Sequence, residues 1–159
     1  MAVPDQHTLY LLARQCRRAI EAVPREEFIG SVFRDFPAGC CGDSSNVLAT
    51  YLFEKTGVIA DYCAGRDGGT DHEIYSHAWL QINNLIIDIT ADQFQDRGYP
   101  LDPVYVGPAT DWHKTFDVTV EPDARHTSIK DVNWLEVAWQ RIMAEMAATE
   151  HHWLPRSEW

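Results

Sequence analysis

The spacing of apolar residues predicts a helix near each end of the chain. Within residues 5–22 the apolar positions recur at steps of three and four, as on one face of an amphipathic helix, and they are Leu9, Leu12, Cys16 and Ile20. Cys16 belongs to that stripe, so we expect it to be a small core residue. Residues 128–150 predict a closing helix, whose apolar face consists of Val132, Leu135, either Val137 or Ala138, Ile142 and Met146.

A further helix is predicted directly after a turn-rich segment. The stretch FPAGCCGDSSNVLATYL, residues 36–52, opens with proline and glycine and continues with Ser45, Leu48 and Leu52 at helical spacing. The sequence KTG at 55–57 then supplies a basic last turn and a glycine stop. The adjacent cysteines at positions 40 and 41 therefore stand at the beginning of this helix.

The middle of the chain has the composition and alternation of β-strands. Residues 73–82 and 85–90 predict two strands, joined by Asn83-Asn84 as a two-residue hairpin turn. Residues 58–65 predict an earlier strand that carries Cys63 in the core, and RDGGTD after it predicts a loop. Shorter strands are predicted at PVYVG and TFDVTV. A single α+β domain over residues 1–159, with an antiparallel sheet and helices at both termini, accommodates all of these elements.

Composition and charge narrow the class of protein and of partner. The 45% hydrophobic and 23% charged residues are ordinary for a globular chain. There is no apolar run of membrane-spanning length and no basic leader before an apolar stretch, so we expect a cytoplasmic protein without a membrane partner. The net charge of −11, with scattered basic residues, argues against a nucleic-acid partner. The oligomeric state is left open.

The cysteines and histidines do not form a metal motif. Two adjacent cysteines cannot easily both point at one tetrahedral ion, and a vicinal disulfide would be strained. HEIYSH at 72–77 resembles the zinc motif HExxH, but its histidines are five residues apart rather than four. No GxSxG segment offers a serine nucleophile. The sequence therefore predicts no metal and no cofactor, and it leaves a thiol as the candidate nucleophile.

The predicted hairpin supplies the histidine that a reactive thiol needs and a carboxylate that can orient it. The start of a helix lowers the pKa of a cysteine, and a neighbouring imidazolium lowers it further. With the turn at the two asparagines, His77 faces Thr90 and Trp79 faces Asp88. His77 and Asp88 are then diagonal neighbours on one side of the sheet, about 7 Å apart at Cβ. The opposite side is mainly aliphatic, and this arrangement requires the cysteine helix to lie on the His77 side.

Helical phase distinguishes the two cysteines. Ser45, Leu48 and Leu52 lie four, seven and eleven residues after Cys41, so Cys41 shares the face that the helix buries. Cys40 precedes the helix and is about 100° out of phase with that face. We therefore predict Cys41 as the nucleophile, His77 as its base and Asp88 as the group that orients the imidazole.

The same segments resemble a known superfamily. The stretch GCCGDSS, followed by SHAWL and DITADQF, is similar to the motifs of an uncharacterised bacterial group of the transglutaminase-like (papain-like) cysteine enzymes. In that group a G-x-C-G-D-x-S start is followed by SHAWL and DITADQF, which places its cysteine, histidine and aspartate on Cys41, His77 and Asp88. The motif-rich match covers residues 36–94, with a weaker echo at WHKTF, residues 112–116.

The resemblance implies a papain-like core and a Cys-His-Asp triad that acts on an amide or acyl carbon through a thioester. The expected enzyme is a cysteine hydrolase, such as a protease or amidase, or an acyltransferase, and its substrate is a peptide, a protein or a small amide or acyl compound. A non-catalytic papain-like binding or immunity module, and an acyltransferase that uses an amine acceptor, are the alternatives. The weaker candidates for substrate binding or oxyanion stabilisation are Trp79, Gln93, Asp43 and His113. Each of them also has a structural interpretation: Trp79 as packing, Gln93 as a turn residue, Asp43 as a helix cap and His113 as a surface loop residue.

Overall fold

The computed structural model describes residues 2–28, 32–99, 101–125 and 133–153. Within these ranges the α-helices are α1 (Gln6–Ala22), α2 (Cys41–Thr56) and α3 (Asn133–Trp153). The strands are β1 (Asp61–Gly68), β2 (Ile74–Ile82), β3 (Leu85–Asp88), β4 (Tyr105–Gly107) and β5 (Asp117–Glu121). They pair antiparallel in the order β4-β3-β2-β1-β5. The predicted α+β class, with an antiparallel sheet and helices at both ends, is confirmed.

The helix boundaries follow from local signals. Helix α1 begins after Asp5, whose carboxylate accepts a 2.7 Å hydrogen bond from the backbone N–H of Thr8. Helix α2 begins at Cys41 and ends before Gly57, which has the left-handed φ of 74° that favours glycine at a helix C-terminus. Cys16 is fully buried on the inner face of α1, as predicted. None of the described helices has the length and apolar character needed to cross a bilayer.

The hairpin has the predicted register. Leu80 pairs with Ile87 and Ile82 with Leu85, so the two asparagines form the turn, and Asn83 adopts a positive φ of 53°. The predicted loop RDGGTD is partly wrong, because β1 continues through Gly68. Gly68 serves as a strand residue since the ring of Phe116 covers its backbone and leaves no room for a Cβ atom.

The two faces of the sheet bury different residues. The main core joins the three helices to the aliphatic face, including Leu80, Ile82 and Ile87. A smaller aromatic cluster covers the other face, around Trp79 and Ile86. The requirement that the cysteine helix lie on the His77 side is therefore wrong, because α2 packs on the aliphatic face. The aliphatic face of the sheet is buried because the apolar sides of the helices pack against it.

The closing helix buries one of the two alternatives that the sequence left open. Ala138 is buried with Leu135, Ile142 and Met146, whereas the side chain of Val137 is 55% exposed. The predicted residues 128–132, including Val132, lie outside the described part of the chain.

The two sides of α3 are expected to differ sharply in their contribution to stability. Ile142→Ala should lower the free energy of unfolding by about 2–5 kcal/mol, because it leaves a cavity in the main core. Val137→Ala, the matched control on the exposed side, should change it by less than about 0.5 kcal/mol. Chemical denaturation of both variants measures the difference, and similar values for the two would contradict the packing of α3.

Candidate functional site

Cys41 lies where the pairing of β2 with β3 stops. The hydrogen-bonded register includes Leu80 and Ile87, but Asp88 pairs with Tyr105 of β4 instead of with β2. The backbone N–H of Ala78, two residues before Leu80, donates to the thiol of Cys41. The first residue of α2 therefore takes a hydrogen bond from the strand that carries His77, although the body of the helix packs on the aliphatic face.

His77 connects the thiol to a buried carboxylate. Its Nε2 atom lies 2.7 Å from Oδ2 of Asp88, and both side chains are fully buried. Its Nδ1 atom makes no well-aligned hydrogen bond to any described residue, and the Cys41 thiol interacts with the imidazole. The three side chains predicted from sequence are thus brought together in the order Cys41, His77, Asp88.

Asp88 is held as an anion by several donors. Its Oδ1 accepts a 3.0 Å hydrogen bond from the Thr90 N–H. Its Oδ2 lies 2.7 Å from Nε2 of His77 and 2.8 Å from Nε2 of His113. Burial alone would raise the pKa of this carboxyl, but the two histidines lower it well below its ordinary range. Burial also opposes the charge on His77, yet Asp88 and Cys41 raise the pKa of that imidazole to about 9.

His113 is a second histidine on the same carboxylate. The expectation of a surface loop histidine is wrong, because only 3% of the residue is exposed and its Nε2 points at Asp88. Its Nδ1 atom lies 2.6 Å from Oγ1 of Thr110. Nε2 of His113 donates to the carboxylate of Asp88, and Thr110 fixes the orientation of the ring through Nδ1. Thr110, His113, Asp88 and His77 thus form a continuous polar chain that leads to the thiol.

Cys41 has the ionisation properties that a nucleophile needs, and the other three cysteines do not. Burial opposes ionisation of Cys41, but His77 and the N–H of Ala78 outweigh it and lower the pKa below the ordinary value. Burial raises the pKa of Cys40 and of Cys16 to about 12 and that of Cys63 to about 11. Cys40 is also 1% exposed, and its thiol donates to the carbonyl of Pro37. The choice of Cys41 over Cys40 is supported by both burial and charge.

Aromatic rings enclose the buried part of the site. The imidazole of His77 lies 5.3–6.1 Å, between ring centroids, from the four rings of Trp79, Phe94, Trp112 and Phe116. Trp79 also packs 4.9 Å from the ring of His113, so its predicted packing role is confirmed. Both histidines are buried, and their interactions with Asp88 are stronger in this low-dielectric setting.

Gln93 and Asp43, the two remaining weak candidates, lie close to the start of α2. Oε1 of Gln93 accepts from the Gly39 N–H at 3.2 Å, and its Nε2 donates to the carbonyl of Thr90 at 2.9 Å. Gln93 therefore ties the segment before α2 to the segment after β3. Asp43, which the sequence suggested as a helix cap, is not the N-cap residue of α2, because that residue is Cys40. Asp43 lies in the first turn, where a carboxylate is favoured by the helix dipole.

Comparisons with protein-family models, with curated proteins and with solved structures found no match to this chain. The likeness of its motifs to the transglutaminase-like superfamily therefore stays a prediction. The interpretation of the candidate site therefore rests on its geometry and its charges alone.

Proposed function

We propose that the protein is a thiol-dependent hydrolase or acyltransferase with a papain-like core, in which Cys41, His77 and Asp88 form the catalytic triad. The observation that carries the proposal is that one cysteine of four has a lowered pKa, and that this cysteine contacts an imidazole held by a buried carboxylate. A purely structural thiol has no need of either feature, since burial alone raises a cysteine pKa, as it does for Cys16.

The charges support an ion pair as the resting state. Burial opposes both charges, but Asp88 and Cys41 raise the pKa of His77 to about 9, and His77 with the N–H of Ala78 lowers the pKa of Cys41, so each group favours the charged form of the other. Asp88 balances the positive charge of the ring and holds its Nε2–H, which directs Nδ1 toward the sulfur. This ion pair supplies the thiolate that attacks the substrate.

The reaction proceeds in two transfers of the acyl group. The thiolate of Cys41 attacks the carbonyl carbon, a carbon–sulfur bond forms, and the electron pair of the C=O bond moves to oxygen. As the tetrahedral intermediate collapses, the bond to the leaving amine or alcohol breaks, and the imidazolium of His77 donates its proton to that group. His77 then accepts a proton from water or from an acceptor amine as that nucleophile attacks the thioester carbon. The carbon–sulfur bond breaks, the acid or the new amide leaves, and the pair of thiolate and imidazolium is restored.

The substrate class follows from this chemistry and from the partial exposure of Cys41. A peptide or protein amide, or a small amide or ester, presents the carbon that a thiolate attacks. Hydrolysis and transfer to an amine share the first half-reaction, and they differ only in the nucleophile that resolves the thioester. An activated ester is therefore a suitable first substrate, since its good leaving group makes the acyl-enzyme form readily.

The test of this function is a search for the acyl-enzyme. The protein is incubated with p-nitrophenyl acetate at neutral pH, quenched in acid, digested and examined by mass spectrometry. We expect acetyl on the thiol of Cys41 and none on Cys16, Cys40 or Cys63. Acylation of another cysteine in preference, or no acylation of any cysteine while the site is intact, would favour a non-catalytic binding module.

A further inference from the structure

Tyr62 places a hydroxyl against the first turn of α2. The residue lies on β1, where it pairs with Leu80 of β2 and with Glu121 of β5. Its ring packs at the margin of the main core, on the same side of the sheet as α2. A Cβ atom on Gly42 would lie 3.0 Å from the Tyr62 hydroxyl. Because Gly42 has no side chain, the Tyr62 hydroxyl has room to lie against its backbone. Gly42 directly follows Cys41, the proposed nucleophile.

The hydroxyl meets a group of backbone donors that have no partner within the helix. The first intrahelical hydrogen bond of this turn runs from the Ser44 N–H to the carbonyl of Cys40, at 2.9 Å. The preceding N–H groups, which include those of Cys41 and Gly42, point out of the helix start. The Tyr62 hydroxyl itself makes no hydrogen bond to a described residue. A side-chain donor and the positive end of a helix thus meet beside one thiol.

The reaction proposed above requires such donors. When the thiolate adds to a carbonyl, the oxygen becomes negatively charged, and an enzyme of this kind stabilises it with two hydrogen bonds. Resting on that proposed function, we infer that Tyr62 is a catalytic residue whose hydroxyl donates to the oxyanion together with the backbone N–H of Cys41. The hydroxyl keeps its proton throughout, because it stabilises the charge by hydrogen bonding and does not transfer the proton.

The environment suits Tyr62 to this role. Burial, with the nearby charges of Cys41, Glu121 and Asp43, raises the pKa of its phenol to about 12, so it is a donor over the whole working range of a thiolate. Two of the candidates that the sequence offered for substrate binding or oxyanion stabilisation, Gln93 and Trp79, have other contacts. The amide nitrogen of Gln93 donates to the carbonyl of Thr90, and Trp79 packs between the two histidine rings.

Two reactions of the same thiol separate an oxyanion donor from a packing residue. Alkylation by iodoacetamide displaces iodide from a saturated carbon and forms no oxyanion, whereas acylation by p-nitrophenyl acetate passes through one. Tyr62→Phe should leave the alkylation rate of Cys41 within about 2-fold of wild type and reduce its acylation rate by about 10²- to 10³-fold. Tyr75→Phe is the matched control, because Tyr75 is 75% exposed on the adjacent strand, and it should change neither rate.

Each result of this experiment is decisive. Unchanged acylation in Tyr62→Phe would overturn the inference and leave the proposed function standing. A parallel loss of both rates would also overturn it, because Tyr62 would then act on the thiol itself or on folding rather than on the oxyanion. If wild type is alkylated at Cys41 but never acylated, the proposed function fails first, and the inference fails with it.

Discussion

Cys41→Ala is expected to abolish acyl turnover, with a loss of about 10⁴-fold or more in kcat/KM on any ester or amide that the wild type hydrolyses. In the proposed mechanism the thiolate forms the covalent bond to the substrate, and no other described cysteine has a lowered pKa to replace it. Alanine fits the position without new contacts, so stability should change little. Steady-state kinetics with a chromogenic ester measures the loss.

The adjacent cysteine is the natural control for this variant. Cys40→Ala removes a buried thiol whose pKa is raised to about 12 and whose hydrogen bond goes to Pro37. It should retain activity within a few-fold of wild type and lose some stability, because the side chain is part of the main core. A larger loss of turnover in Cys40→Ala than in Cys41→Ala would reverse the assignment of the nucleophile.

Asp88→Asn is the second variant with a large expected effect. It removes the charge that keeps His77 protonated, so kcat/KM should fall by about 10²- to 10⁴-fold. In wild type, activity should decline on the alkaline side near pH 9, where the imidazolium loses its proton, and in Asp88→Asn this decline should move to lower pH. A full pH–rate profile of both proteins measures the two effects. An unaltered alkaline limb would show that Asp88 does not control the ionisation of His77.

The same carboxylate links stability to pH, with a definite sign. The pKa of Asp88 is lower in the folded chain than its ordinary value of 3.8. The carboxylate therefore contributes fully to the free energy of unfolding above pH 3.8, and this contribution is lost as the pH falls below that value. Asp88→Asn should therefore lose less stability on acidification than wild type does. His113→Phe is a useful comparison, since it keeps a ring against Trp79 but removes one of the donors to Asp88.

The part of the site that rests on local periodicity was predictable from sequence. The hairpin signal at the two asparagines fixes the register, and the register alone brings His77 and Asp88 together. The glycine and serine pattern around the cysteines fixes the start of α2, and helical phase selects Cys41. These inferences need only the period of a strand, the period of a helix and one turn type.

The parts that depend on packing between distant segments were not predictable. Nothing local indicates which face of the sheet α2 covers, because both faces carry apolar residues and the N-terminus of the helix reaches His77 from the aliphatic side. His113 reaches Asp88 from a short 3₁₀ helix, and Tyr62 reaches Gly42 from a neighbouring strand. The one signal for His113 was the weak motif echo at WHKTF, and Tyr62 had none.

The central claim is that Cys41 is an activated thiolate paired with His77, and its most direct test needs no knowledge of the substrate. The rate of iodoacetamide alkylation at Cys41 is measured against pH by mass spectrometry, with the His77→Ala variant alongside. We expect half of the plateau rate at a pH below the ordinary cysteine value of 9.0, and a shift toward or beyond that value in His77→Ala. A midpoint at or above 9.0 in wild type, or no shift on removal of His77, would contradict the account.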